Sequence, residues 1–161
     1  MKTQKFALLI ALFSLFTLAS CNKDKDPKAV SKADMLSSGA GKKWKISSML
    51  LTYKAGGQTS TMDLMDDDYM DDCDKDDLLI FFSNKKFETR AGANKCNTSD
   101  PDLMGEGTWT FNSTETQLTV IEDGSSQTYD IKELTGNTFK GEQTATEDGV
   151  TGTLSITFTA L

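Results

Sequence analysis

An all-β fold of about eight short strands, an antiparallel meander closed into a barrel behind a short N-terminal helix, is what this 161-residue sequence predicts. Three observations lead there. Apolar and polar residues alternate with a period of two through most of the chain after Trp44, the pattern of a strand with one buried face. The dipeptides Asn84-Lys85, Asp123-Gly124 and Gly136-Asn137 punctuate those stretches as turns. The last patterned stretch runs to the C-terminus, where it can pair with the first and leave no exposed edge.

The elements follow in order. Ser31 is placed to cap a helix, with Asp34 three residues on, Met35 and Leu36 as its apolar side and Gly39 as its stop. The first strand alternates Trp44, Ile46, Ser48 and Leu50 with Lys45, Ser47, Met49 and Leu51. Leu78 to Phe82 is an apolar run of strand length, and Phe87 with Thr89 begins the next. Trp109 and Phe111, then Leu118 and Val120, then Tyr129 and Ile131 mark three more. Asp123-Gly124 suits the tight hairpin between the last two. Thr138-Phe139 opens a short strand, and Leu154, Ile156 and Phe158 pattern the final one. Eight strands closed in this way leave room inside for side chains or one small ligand.

The chain begins with a different kind of segment. Lys2 and Lys5 precede an uncharged apolar run from Phe6 to Leu18, and Leu18-Ala19-Ser20-Cys21 follows. The run is short for a membrane span and has the layout of a secretory leader. Its last four residues are similar to the lipobox of bacterial lipoproteins. That resemblance implies cleavage before Cys21 and lipid on its sulfur, with two or more acyl chains giving stable anchoring. Asn22 to Lys28 is polar and reads as a solvated tether. The expected organisation is therefore leader 1–20, lipidated tether and short helix 21–40, and barrel 41–161. The expected location is the outer membrane, on either face.

Net charge is −7. Removing Lys2 and Lys5 with the leader leaves fifteen basic against twenty-four acidic side chains, or −9. Such a field repels nucleic acid, so no nucleic-acid partner is expected. The sequence has no histidine, which removes the commonest general base and zinc ligand. With Cys21 assigned to lipid, Cys73 and Cys96 remain. A disulfide between them is the expectation in an oxidising compartment, with free thiols or a metal site as alternatives. No nucleophile-elbow or phosphate-cradling motif is present, so no catalytic residue is assigned and the protein is not expected to be an enzyme.

The stretch from Met62 to Asp77 holds nine aspartates. Ser60 with Asp63 has the spacing of a helix cap, and Met62, Met65 and Tyr69 would share one face of that helix. Asp72, Asp74 and Asp76 have the alternate spacing that opens an EF-hand loop, which makes them candidate calcium ligands. Asp77 stands where that loop needs glycine and Ser83 where it needs glutamate, so any calcium site is of another kind. No other cofactor is expected. Met62, Met65 and Met70 fit packing better than copper. Asn97-Thr98-Ser99 and Asn112-Ser113-Thr114 match the glycosylation sequon by chance in such a protein.

Several of these residues together resemble a family, the lipocalin-like domain of small bacterial lipoproteins. They are Gly41-Lys42-Lys43-Trp44, the Cys73-Asp74-Lys75-Asp76-Asp77 segment leading to Phe81, Lys95-Cys96, and Gly107-Thr108-Trp109-Thr110-Phe111. The likeness spans roughly residues 40 to 161. It implies that the tryptophan packs at the closed end of a barrel and that the cysteine pair joins neighbouring loops. True lipocalins have one residue between Gly and Trp in the first strand, where this chain has two. The function expected is non-catalytic binding of a small apolar ligand, with Trp44, Trp109, Phe111 and Phe158 as candidate wall or floor residues. The alternative is a filled barrel acting through its outer surface, as an accessory subunit or interaction partner in an envelope complex.

Overall fold

A computed structural model of the chain describes residues 29–147 and 149–161. The leader, Cys21 and the tether lie outside the described residues. After α1 (Lys32–Leu36) come β1 (Lys42–Ala55), β2 (Gln58–Asp63), β3 (Leu78–Phe81), β4 (Lys86–Arg90) and β5 (Leu103–Phe111). Then follow β6 (Gln117–Glu122), β7 (Ser125–Leu134), β8 (Thr138–Glu147) and β9 (Val150–Ala160). From β3 onward each strand pairs antiparallel with the next, and β9 returns to pair with β1. That last ladder runs from Trp44↔Ala160 to Lys54↔Thr151 and closes the barrel. Among the described residues no helix is long and apolar enough to cross a membrane.

The number of strands needs one qualification. β2 pairs with the far half of β1, Leu50 to Ala55, and β3 with its near half, Lys42 to Lys45. They are two halves of one wall position, so the closed barrel has eight strand positions. Between them residues 64–77 leave the sheet and form the acidic excursion.

Two sequence expectations are corrected here. The helix capped by Ser60 does not form, and Gln58–Asp63 is a strand instead. Gly56 and Gly57, with φ of 56° and 79°, make a tight turn that folds this segment back on β1. Ladder pairing to β1 then outweighs the local cap pattern. Past the strand, the Asp63 side chain accepts the backbone N–H of Met65 at 2.9 Å and bends the chain away. The second correction is the phase of β1. A bulge between Ile46 and Ser48 adds a residue and exchanges the two faces beyond it. Met49 therefore packs on the core, while Leu50 is exposed.

The expected helix is present and plugs one end of the barrel. Ser31 Oγ accepts the Asp34 N–H at 3.1 Å, and Leu36 is fully buried. Trp44 Nε1 donates to the Leu36 carbonyl at 2.8 Å. The ammonium of Lys42 donates to the carbonyls of Met35 and Gly136 and lies 4.8 Å from the Trp44 ring centroid. Burial lowers the pKa of Lys42. Across the floor, Trp109 Nε1 donates to the Phe82 carbonyl at 3.0 Å, and Lys85 Nζ sits 3.6 Å from the centre of the Trp109 ring. Helix, indoles and two lysines form a continuous seal.

Candidate functional site

Above that floor the barrel is hollow. A cavity of about 240 Å³ is walled by Phe81, Phe87, Leu118, Val120, Phe139 and Phe158. In β5 the inner face carries Trp109 and Phe111 near the floor and, in the same alternation, Gly105 and Gly107 higher up. A Cβ at Gly105 would lie 2.1 Å from Glu122 Oε1, and one at Gly107 would lie 1.7 Å from the Ile121 carbonyl. Close approach of backbone requires glycine at Gly107, whereas a side chain at Gly105 would displace the Glu122 carboxylate. Gly141 in β8 repeats the device, with Phe139 and Tyr129 atoms 3.1 Å from where its Cβ would be. Large residues fill the bottom, and glycines let neighbouring groups come in above.

The cavity changes character along its length. Its lower wall is aromatic and aliphatic, and its upper wall adds Thr89, Glu122, Ser125, Gln127 and Tyr129. Thr89 Oγ1 donates to Glu122 Oε1 at 2.5 Å, and the Tyr129 hydroxyl donates to Gln127 Oε1 at the same distance. Burial, then the nearby Glu122 charge, push the Tyr129 phenol above its ordinary pKa. An apolar chamber with a few polar groups at one end is the usual build of a small-molecule site.

Of the four aromatics expected at a ligand, only Phe158 lines the cavity. Trp44 and Trp109 are buried in the floor, and Phe111 packs edge-on against Trp109 with ring centroids 5.5 Å apart. Sequence reading missed Glu122, Gln127 and Thr89. A signal did exist, because Glu122 continues the inward phase of Leu118 and Val120.

Cys73 and Cys96 form a disulfide, Cα atoms 5.1 Å apart, which ties the acidic excursion to the loop 91–102. Carboxylates reinforce the tie. Asp77 Oδ1 accepts the Gly92 N–H at 3.1 Å and Asp76 Oδ2 the Asn94 N–H at 3.0 Å. Lys95 Nζ pairs with Asp102 at 2.6 Å. Lys75 bridges Asp67 and Asp72, whose hydrogen bonds raise its pKa. A second recess of about 250 Å³ lies against these loops, next to the disulfide, Asp74, Asp77 and Lys95. It lies outside the barrel core.

The three candidate calcium ligands are not brought together. Asp72 faces Lys75, Asp74 lies by the disulfide, and Asp76 binds backbone. Among the described residues the one cluster of metal-type ligand atoms within 4.8 Å is Cys73, Asp74 and Cys96. Its two sulfurs are bonded to each other, so it offers no thiolate. Met62 is in β2, whereas Met65 and Met70 are in the excursion. Asn112, of the second sequon, organises a turn by accepting the N–H groups of Thr116 and Gln117.

A closed antiparallel barrel with a plugged floor and a partly polar upper chamber has the general build that suits small-molecule binding. The family model of the lipocalin-like domain matches residues 40–141, and the chain belongs to that family. No curated protein matches the chain. Barrels of this family suit small-ligand binding and are typically non-enzymatic.

Proposed function

We propose that this protein is a lipid-anchored envelope lipoprotein whose barrel binds a small, largely apolar ligand without transforming it. The cavity carries the reading. An apolar cavity of roughly 150 Å³ takes benzene, and drug-sized pockets start near about 300 Å³. At about 240 Å³ the chamber fits a single ring with a short arm. The lining residues offer one carboxylate, one phenol, two hydroxyls and one amide. The leader and Leu18-Ala19-Ser20-Cys21 support anchoring at the outer membrane through lipid on Cys21.

Native mass spectrometry of gently purified protein tests the ligand. A retained small organic mass supports the reading, and a bare chain that takes up none of a panel of small aromatics contradicts it. Cys21→Ala tests the anchor: the variant should leave the membrane fraction after a high-salt wash, and its persistence there would reject lipidation. A second reading, interaction with an envelope protein, has one observation in its favour. Among the described residues no strand pairs with the far edge of β2, which leaves backbone groups open to an added strand. A bare barrel that co-purifies with a stoichiometric partner would favour it.

A further inference from the structure

The cavity contains a charge without a counter-charge. Glu122 is the only acid or base with a carboxylate or ammonium in its wall, and none of the ion pairs among the described residues involves it. Its one hydrogen bond among them comes from the neutral Thr89 hydroxyl. Gly105 leaves the space its carboxylate occupies, since any Cβ there would meet Oε1. The carboxylate is thus held inward over an aromatic chamber by the build of two strands. A half-buried carboxylate with one neutral donor still has lone pairs to satisfy, and a charged donor satisfies them best.

We propose that the ligand is an amine: a protonated ammonium group bound by Glu122, carried on a ring or short chain that fills the space between Phe81, Phe87, Leu118 and Phe158. This rests on the ligand-binding reading above and deepens it. The proposal also excludes a class. A fatty acid or other carboxylate would place a second negative charge beside Glu122, and like charges at that range are unfavourable. The acidic balance of the whole chain, −7, works in the same direction by drawing cations toward the mouth.

The test is calorimetric titration of the full chain, micelle blanks subtracted, with three probes of matched shape: 2-phenylethylamine, 2-phenylethanol and phenylacetate. The amine should bind roughly tenfold or more tighter than the alcohol, the size expected for one charge-assisted hydrogen bond. Phenylacetate should be the weakest. Glu122→Gln, which retains an acceptor for Thr89, should remove most of the amine's advantage and bring the amine and the alcohol to within about twofold of each other. Binding of all three probes alike, or an amine preference that survives Glu122→Gln, overturns the proposal and leaves the cavity reading standing. No binding by any probe overturns both.

Discussion

The two ends of the barrel are closed by opposite chemistry. The floor is sealed by cations and indoles: Lys42 and Lys85 lie against Trp44 and Trp109, and the Lys42 ammonium and both indole N–H groups donate to backbone carbonyls. The far end is organised by anions: Asp76 and Asp77 accept backbone N–H groups of a loop that a disulfide also fastens. The floor buries its aromatic mass, whereas most of the aspartates in the excursion remain exposed. The first end is therefore expected to contribute more of the stability. The second is held by covalent and electrostatic ties.

The largest expected effect falls on the floor. Trp109→Ala should cost about 3–5 kcal/mol in urea unfolding, because a fully packed indole leaves a cavity behind. A loss under about 1 kcal/mol would show that the floor is not the stability centre. Replacing Cys73 and Cys96 together by serine should cost about 3 kcal/mol for a loop of this separation. Hydrogen exchange should then quicken in 64–77 and 91–102 while the amides of β1 and β5 near the floor stay protected. Equal quickening at both ends would erase the distinction drawn between them. Before reduction, a thiol-reactive label should modify neither cysteine. Ser31→Ala should cost about 1 kcal/mol through the lost cap, with α1 fraying first.

The smallest expected effect is a difference in the sign of the acid response. Hydrogen bonds from Arg90, then Lys86, hold the Glu88 carboxyl below its ordinary value of 4.5. Its contribution is therefore complete above about pH 4.5 and is lost as pH falls through its lower folded value. Asp77 is the reverse. Burial, and to a lesser degree the charges of Asp74 and Asp76, raise it above 3.8 although the Gly92 N–H opposes the rise. The folded state then holds that proton more tightly, so stability is lost as pH climbs from 3.8 through the folded value. Melting temperature followed between about pH 3 and pH 6 should show Glu88→Gln flattening the acid-side loss. Asp77→Asn should remove the opposing slope. Identical profiles for both variants would contradict the assignment.

Much of the fold was legible because strand period and turn chemistry are local. Trp109 with Phe111 and Leu118 with Val120 lie on the core face as their alternation implied. Asp123-Gly124 makes the expected turn, with φ of 47° and 83°. The short helix needed only Ser31, Asp34 and Leu36 to be placed. What was not legible depended on partners distant in sequence. No local residue type announces the bulge after Ile46. The strand at Gln58–Asp63 exists because β1 offers an edge, which a capping pattern cannot report.

The site was legible only in part, for a related reason. Large aromatics were the natural candidates for a ligand wall, yet Trp44, Trp109 and Phe111 belong to the floor. The hollow is walled instead by Phe81, Phe87, Leu118, Val120 and Phe139, which the sequence did not single out as a wall. The acid that faces it was hidden among twenty-four Asp and Glu residues. Its inward phase distinguishes it, and that phase becomes informative only once the strand and its core face are known.

The account rests on the interior being a binding chamber, and the most direct test is to fill it. Val120→Phe adds a ring to the cavity wall and leaves Glu122, the floor residues and the disulfide unchanged in sequence. Titrated with neutral 2-phenylethanol, the wild-type chain should bind and the filled variant should lose more than about tenfold in affinity while still unfolding in one cooperative transition. Equal binding by both proteins, with the fold intact, would place the ligand outside the barrel and contradict the account.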